Sequence, residues 1–346
     1  MHSPLQKNRH VGIVGATGAV GLELLATLEK RHFPVATIRL FASANSLGRH
    51  LVFQGNKIAV ETLQKGCFQG LDLVFFSAGS KIAKAYAPQA VSEGAIVIDN
   101  SSAFRSNPNV PLVIPEVNAH AIASHKGIIA NPNCSTIIML MALAPLHRLA
   151  KIKRIVAATY QAASGAGAKA MQELMDETRA SLENRPYERS VIPFPYAFNL
   201  FLHNSPLSQE GYAEEEVKLL TETRKILEDP SIRVAATCVR VPVLRAHSEA
   251  LNVEFHHPLE PDEACALLQK AEGISCLEDR SQNRFPMPLD VSGKDDVFYG
   301  RVRKDLSQDN TLDIWVVGDQ LLKGAALNAV QIAEKLLPTE KISAES

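Results

Sequence analysis

Apolar residues along this chain come in two arrangements. Through the first 150 residues they form short, nearly continuous runs at 10–14, 37–41, 71–76, 95–98 and 127–130, each followed by a turn rich in glycine, serine or asparagine. Runs without alternation predict strands buried on both faces of a parallel sheet. Helical periods continuing through 22–25, over about 81–92 and from about 136 to 149 predict the helices that cover such a sheet.

Beyond residue 150 the runs lengthen and begin to alternate. Strands are expected at 152–161, 232–243, 249–256, 296–303 and 311–317, with helices reaching about 182 and spanning 214–227. That pattern predicts a second α+β domain with an open mixed or antiparallel sheet. Between them, 183–212 is rich in Pro, Asn and Ser and reads as a long loop, of a length that usually covers a site or an interface. A last helix, 321–337, is strongly apolar on one face and is expected to return to the first domain. The expected fold is therefore α/β, with an N-terminal Rossmann-type dinucleotide-binding domain of residues 1–133 plus 319–346. Residues 134–318 are expected to form the second, α+β domain.

A chain of 346 residues with 46% hydrophobic content can bury two cores. The formal charge of -1, with no basic run, gives no electrostatic footprint for nucleic acid and points to a small-molecule substrate. Cys67, Cys134, Cys238, Cys265 and Cys276 are odd in number and contain no CxxC pair, so neither a disulfide framework nor a metal site is expected. The polar first ten residues lack the apolar core of a signal peptide, and no run is long enough to span a membrane. A cytoplasmic, soluble protein is expected.

Candidate chemistry gathers at the predicted carboxyl ends of the strands, where ligands of such sheets bind. Gly15-x-x-Gly18-x-x-Gly21 supplies a tight turn between strand and helix, suited to close approach of a pyrophosphate. After the next strand, 42–49 holds hydroxyls, Asn45 and Arg49 but no acidic residue, which favours NADP over NAD. Ser77, Gly79 and Arg105 follow later strand ends. Cys134 follows another, at the start of a helix, where unpaired amides and the helix dipole are expected to depress a thiol pKa and hold an oxyanion.

The segments Gly15-Ala-Thr-Gly-Ala-Val-Gly21, Asn100-Ser-Ser-Ala-Phe-Arg105, Asn131-Pro-Asn-Cys-Ser-Thr136, Gln161-Ala-Ala-Ser-Gly-Ala-Gly167, Glu215-x-x-Lys218 and Arg240-x6-His247 occur in the order found in aspartate-β-semialdehyde dehydrogenases. The chain resembles that family from about residue 10 to 337. The resemblance implies NADPH-dependent reduction of L-aspartyl-4-phosphate through a cysteine thioester, in lysine, threonine and methionine biosynthesis, by a homodimer, and assigns catalysis and dimerisation to residues 134–318.

Carried over residue by residue, the resemblance makes Cys134 the nucleophile, His247 the acid/base and Gln161 the group that orients the intermediate. It implies that Asn133 helps bind the acyl phosphate, Arg105 and Lys218 the phosphate, Arg240 the α-carboxylate and Glu215 the ammonium. For the cofactor it implies Thr17, Gly18, Ala19 and Val20 at the pyrophosphate, Asn45 and Ser46 at the 2′-phosphate, Ser164 and Gly165 beside the nicotinamide, and Gln320 from the far end of the chain. Many relatives carry arginine where this chain has Asn45, a role left to Arg49. The rival readings are an N-acetylglutamyl-phosphate reductase-like enzyme and a non-catalytic structural relative.

Overall fold

Two seven-stranded sheets organise the structure, a computed structural model that describes residues 8–337. The expectations for the first residues and for the far C-terminus of the first domain lie outside the described residues.

The first half runs β1 (Arg9–Val14), α1 (Ala19–Lys30), β2 (Val35–Ala42), β3 (His50–Phe53), β4 (Asn56–Thr62), β5 (Leu73–Phe76), α2 (Ser80–Ser92), β6 (Ile96–Asp99), α3 (Pro115–Asn118) and β7 (Ile128–Ala130). Its strands lie in the order β3-β4-β2-β1-β5-β6-β7 and are parallel except for the β3–β4 hairpin. The hairpin was not expected. Its strands are half polar and exposed, and it closes on Gln54 and Gly55, both at positive φ, without the Asn-Gly pair that flags such turns. Because β1 lies between β2 and β5, the direction in which the strands are laid down reverses there, and the turns after β1 and β5 border one crevice.

Gly15 in the first turn has φ +87°, and a Cβ on Gly21 would sit 2.2 Å from the Gly15 carbonyl oxygen. Only glycine lets α1 start that close to the strand.

The second half runs α4 (Cys134–Ala150), β8 (Ile152–Gln161), α5 (Ala168–Leu182), β9 (Phe201–Leu202), α6 (Glu214–Ile226), β10 (Arg233–Arg240), β11 (His247–Phe255), α7 (Pro261–Leu268), β12 (Ile274–Cys276), α8 (Pro288–Val291), β13 (Val297–Lys304), β14 (Thr311–Gly318) and α9 (Leu327–Lys335). The sheet order is β12-β13-β14-β11-β8-β10-β9. It is mixed: β8–β10 and β12–β13 are parallel, the other pairs antiparallel. The long loop is broken only by β9, which adds a short edge strand to β10. The last helix is preceded by a π turn, Leu322–Ala326.

Alternation along β8 puts Ile155, Ala157 and Thr159 against α4 and leaves Val156, Ala158 and Tyr160 on the other, open face. There Tyr160 meets Trp315 at 5.8 Å between ring centroids. The first sheet is covered on both faces, by α1 and α9 on one and by α2 on the other. Thus Ala329, Val330 and Ala333 of α9 share a core with Val11 and Ile13 of β1. Asn328 of α9 also donates to the Val113 carbonyl (2.9 Å) and to the Asn131 side chain (2.7 Å), tying the chain's end to the turn before Cys134. Among the described residues no helix is long and apolar enough to cross a membrane.

Candidate active site

The turn between β7 and α4 fixes Cys134. Asn133 is the helix N-cap, and its Oδ1 accepts from the amides of Ser135 (3.0 Å) and Thr136 (3.3 Å). Its Nδ2 donates to Glu215 Oε1 at 2.8 Å, and its own amide donates to Glu222 Oε2 at 2.6 Å. The cap's side-chain oxygen and backbone amide are thus committed before a ligand arrives, and one of its two Nδ2 N–H groups is left over. The Cys134 side chain is half-buried at the wall of a cavity of about 370 Å³ between the two sheets.

Strand register brings three predicted residues to that cavity. Gln161 and Arg240 are paired at the carboxyl ends of the adjacent parallel strands β8 and β10, and His247 opens β11 on the other side of β8. All three are buried. Gln161 Nε2 donates to Ser135 Oγ and to Glu215 Oε1, both at 3.1 Å, which leaves its oxygen without a partner. Arg240 donates from Nη1 to the Ala162 carbonyl (3.3 Å) and from Nη2 to His203 Nε2 (2.9 Å). His247 Nδ1 accepts from the Ala162 amide at 3.0 Å. The ring's proton therefore sits on Nε2, a buried atom with no partner.

Helix α6 supplies the charged wall. Glu215 is buried while its neighbour Glu214 is exposed, so the pairing with Lys218 at 3.3 Å is a cavity feature rather than a solvated surface pair. From the first domain, Arg105 donates through Nε to the Asn131 carbonyl (2.9 Å), through Nη2 to the Asn100 carbonyl (2.8 Å) and through Nη1 to Glu222 Oε1 (3.3 Å). Two of its five N–H groups remain, and the residue lines the cavity beside Lys218.

One expectation is corrected here. Burial, with the Glu215 carboxylate nearby, pushes the Cys134 thiol up to about 12; Arg105 and Arg240 oppose this without overcoming it. The helix terminus does not depress the thiol because its first amides are occupied by the Asn133 cap and burial disfavours the charged sulfur. Burial and Arg240 likewise push His247 down to about 3, so its imidazole is neutral at physiological pH. Burial works against the Glu215 charge, but Lys218 and hydrogen bonds from Asn133 and Gln161 hold its carboxyl at about 2.

The crevice residues fall into place around the first sheet's switch point. Thr17, Gly18, Ala19 and Val20 form the turn and first residues of α1; Thr17 Oγ1 lies 3.2 Å from Ser46 Oγ, so the loop after β2 adjoins the glycine turn. Asn45 and Arg49 are exposed on that loop. Ser77 Oγ donates to the Val14 carbonyl at 3.1 Å, and Gly79, with φ +84°, caps α2 at the cavity mouth. Val20, Ser164, Gly165 and Gln320 line the same cavity as Cys134. Gln320 bridges the two, its Nε2 on Ser164 Oγ and its Oε1 accepting from the Ala246 amide at 2.9 Å. A Cβ on Gly165 would come within 3.0 Å of the His247 ring and 3.1 Å of Arg240 Nη1.

The structure adds residues that sequence reasoning passed over. His203 follows β9 and holds Arg240; the long polar loop was the only signal, since a lone histidine within it carries none. Glu222 and Lys225 lie on the helix expected over 214–227, and nothing in their spacing singles them out. Gly324, in the π turn, lies over Cys134, where an added Cβ would meet the Cys134 Cβ at 3.0 Å. No group of three His, Cys, Asp or Glu side chains among the described residues is placed to hold a metal ion.

Comparison with known proteins agrees with this geometry. The family model "Semialdehyde dehydrogenase, NAD binding domain" matches residues 10–125, and "Semialdehyde dehydrogenase, dimerisation domain" matches 143–323. The aspartate-semialdehyde dehydrogenase of Synechocystis is 53% identical over 337 residues, 97% of this chain and 98% of that one. That of Bacillus subtilis is 45% identical over 339 residues, covering 94% and 97%. Among solved structures, aspartate semialdehyde dehydrogenase II of Vibrio cholerae complexed with ASA superposes with a TM-score of 0.93 at 42% identity, over 95% of this chain and 98% of that one. The Candida albicans enzyme with NADP gives 0.75 at 25% identity, over 95% and 98%. With both domain models matched and a close relative aligned along nearly its whole length, this chain belongs to the aspartate-semialdehyde dehydrogenase family.

Proposed function

We propose that the chain reduces L-aspartyl-4-phosphate to L-aspartate 4-semialdehyde with release of phosphate, using NADPH and a thioester on Cys134, in lysine, threonine and methionine biosynthesis. One observation carries the reading: a single cavity joins Cys134 to Arg240, to His247 and to the Arg105/Lys218 pair. A substrate bearing a carboxylate, an ammonium and a phosphate needs that distribution of charge. Arg240 faces the α-carboxylate with a planar fork, Glu215 the ammonium, and Arg105 with Lys218 the phosphate, while Asn133 sets the distance between phosphate site and sulfur.

The chemistry follows from the protonation states. Cys134 attacks the acyl carbon as its S–H bond breaks, forming the C–S bond. His247 holds its proton on Nε2 and its Nδ1 lone pair on the Ala162 amide, so it serves the tetrahedral oxygen as a donor. It has no free lone pair for the thiol proton, which leaves with the departing phosphate. Gln161, oriented by Ser135 and Glu215, presents its oxygen to the bound acyl group.

The turn formed by Gly15 and Gly21, with Thr17 to Val20 at the start of α1, suits a dinucleotide pyrophosphate: a Cβ at either glycine would strike neighbouring backbone, and its absence brings the amino end of α1 tight against the strand end. Ser46, Asn45 and Arg49 suit the 2′-phosphate, Ser77 and Gly79 the crevice wall, and Ser164, Gly165 and Gln320 the nicotinamide end. Bound there, NADPH supplies the hydride that reduces the thioester.

The same reading divides the chain into residues 1–133 with 319–346 for the cofactor and 134–318 for catalysis and dimerisation, and takes the protein as a cytoplasmic homodimer. The dimerisation-domain match and the open face around Tyr160 and Trp315 support the pairing. Phosphate-dependent reduction of NADP by aspartate semialdehyde tests the function. Turnover is expected with that aldehyde and is expected to vanish without phosphate; activity with N-acetylglutamate semialdehyde instead would replace the substrate assignment.

A further inference from the structure

The geometry points to Glu222 and Lys225 as positioning residues for the phosphate subsite, acting on Arg105 and on the turn that carries Cys134. The inference rests on the reading of Arg105 as a phosphate ligand.

Glu215, Lys218, Glu222 and Lys225 are spaced by three, four and three residues, so they form one stripe along α6. The first two reach the cavity. The other two reach the protein that builds it. Glu222 is buried, and its carboxylate joins two elements of the first half: Oε1 takes Arg105 Nη1 at 3.3 Å, and Oε2 takes the Asn133 amide at 2.6 Å. One side chain therefore sets the guanidinium relative to the helix cap one residue before the sulfur. Lys225 Nζ donates to three backbone carbonyls, those of Arg105 (2.8 Å), Asn107 (2.7 Å) and Val110 (2.7 Å). All three donors of the ammonium are spent on the loop that presents Arg105. Neither residue lines the cavity around Cys134.

The chemistry of both contacts is specific. Both partners of Glu222 are donors, so an amide at 222 must turn its NH2 towards one of them. Lys225→Met keeps the unbranched stem, one atom shorter, and removes all three hydrogen bonds. Glu222→Gln weakens the one side-chain contact that fixes the guanidinium beside its bonds to the Asn131 and Asn100 carbonyls, and Lys225→Met loosens the loop that carries it, so each relaxes the placement of Arg105 at the cavity.

The test uses the full-length protein with aspartate semialdehyde, phosphate and NADP. Glu222→Gln and Lys225→Met are each expected to raise KM for phosphate about tenfold or more, with KM for the aldehyde and for NADP within about twofold. In an Arg105→Ala background, which itself raises KM for phosphate, adding Glu222→Gln is expected to change it by less than about twofold, because the residue acts through Arg105. A purely structural role would instead move all three KM values together and give additive effects, overturning the inference. An unchanged phosphate KM in both single variants, with Arg105→Ala still impaired, would also overturn it while sparing the reading of Arg105. An unaffected Arg105→Ala would remove that reading itself. Should Glu222→Gln fail to fold, Lys225→Met, alone and with Arg105→Ala, carries the same comparison.

Discussion

Asn133 Nδ2 and Glu215 Oε1 lie 2.8 Å apart, so the residue that caps the nucleophile's helix is the same one that holds the carboxylate assigned to the substrate ammonium. An Asn133→Asp substitution tests this coupling, because aspartate caps a helix as well as asparagine does but turns a donor into a charge facing Glu215. The variant is expected to lose about 1–3 kcal/mol of stability by urea denaturation and to bind the aldehyde more weakly. Stability and KM matching the parent protein would show that the two side chains are not coupled in solution.

A thiol held near 12 makes a kinetic prediction for the ligand-free protein. Alkylation needs the thiolate, whose fraction rises with pH until the folded pKa is passed. Carbamidomethylation of Cys134 by iodoacetamide, followed by peptide mass spectrometry to separate it from exposed Cys276, is expected to climb steadily through pH 9–10 (roughly one unit above the free thiol's pKa) without a plateau. A plateau near neutrality would mean the resting site already holds a thiolate. Cys134→Ala is expected to abolish turnover and leave the fold intact.

Arg240 is held flat between the Ala162 carbonyl and His203 Nε2. Lysine cannot reproduce both those contacts and a two-pronged grip on a carboxylate. For Arg240→Lys, KM for aspartate semialdehyde is expected to rise by about tenfold or more, corresponding to one charged hydrogen bond. An unchanged KM would place the carboxylate elsewhere.

Gly165 is packed tightly against the site: a Cβ would lie 3.0 Å from His247 Nε2 and 3.1 Å from Arg240 Nη1, so one or both side chains would have to shift. Gly165→Ala is expected to depress kcat about 100-fold, the scale of losing alignment of an acid group, while thermal unfolding shifts little. Full activity in this variant would mean His247 Nε2 need not point where it does.

Asn45 and Arg49 are exposed on the loop beside Ser46 and the glycine turn, so the cation available to a 2′-phosphate is a solvent-exposed one. Comparing kcat/KM for NADP and NAD is expected to give a preference for NADP that falls about tenfold in Arg49→Ala. Equal use of the two cofactors by the parent protein would remove Arg49 from the site.

Much of this was legible before any coordinates. Nearly continuous apolar runs at 71–76 and 95–98, each closed by a turn, point to strands covered on both sides, and glycines spaced as Gly15, Gly18 and Gly21 mark a backbone that must come close to something. Local pattern and chain order were enough for the parallel sheet, for the cysteine at a helix start, and for the return of α9. Protonation was not legible. A helix N-terminus by itself argues for a thiolate, whereas burial and Glu215, brought to the cap of that helix from 82 residues further along the chain, argue the other way and prevail. Nor could spacing reveal that His247 spends its Nδ1 on Ala162, that His203 braces Arg240 or that Glu222 spans Arg105 and Asn133. Periodicity records which face of an element is apolar. Desolvation, tautomer and shared hydrogen bonds depend on which elements meet, and only the packing of the two sheets against α4 and α6 decides that.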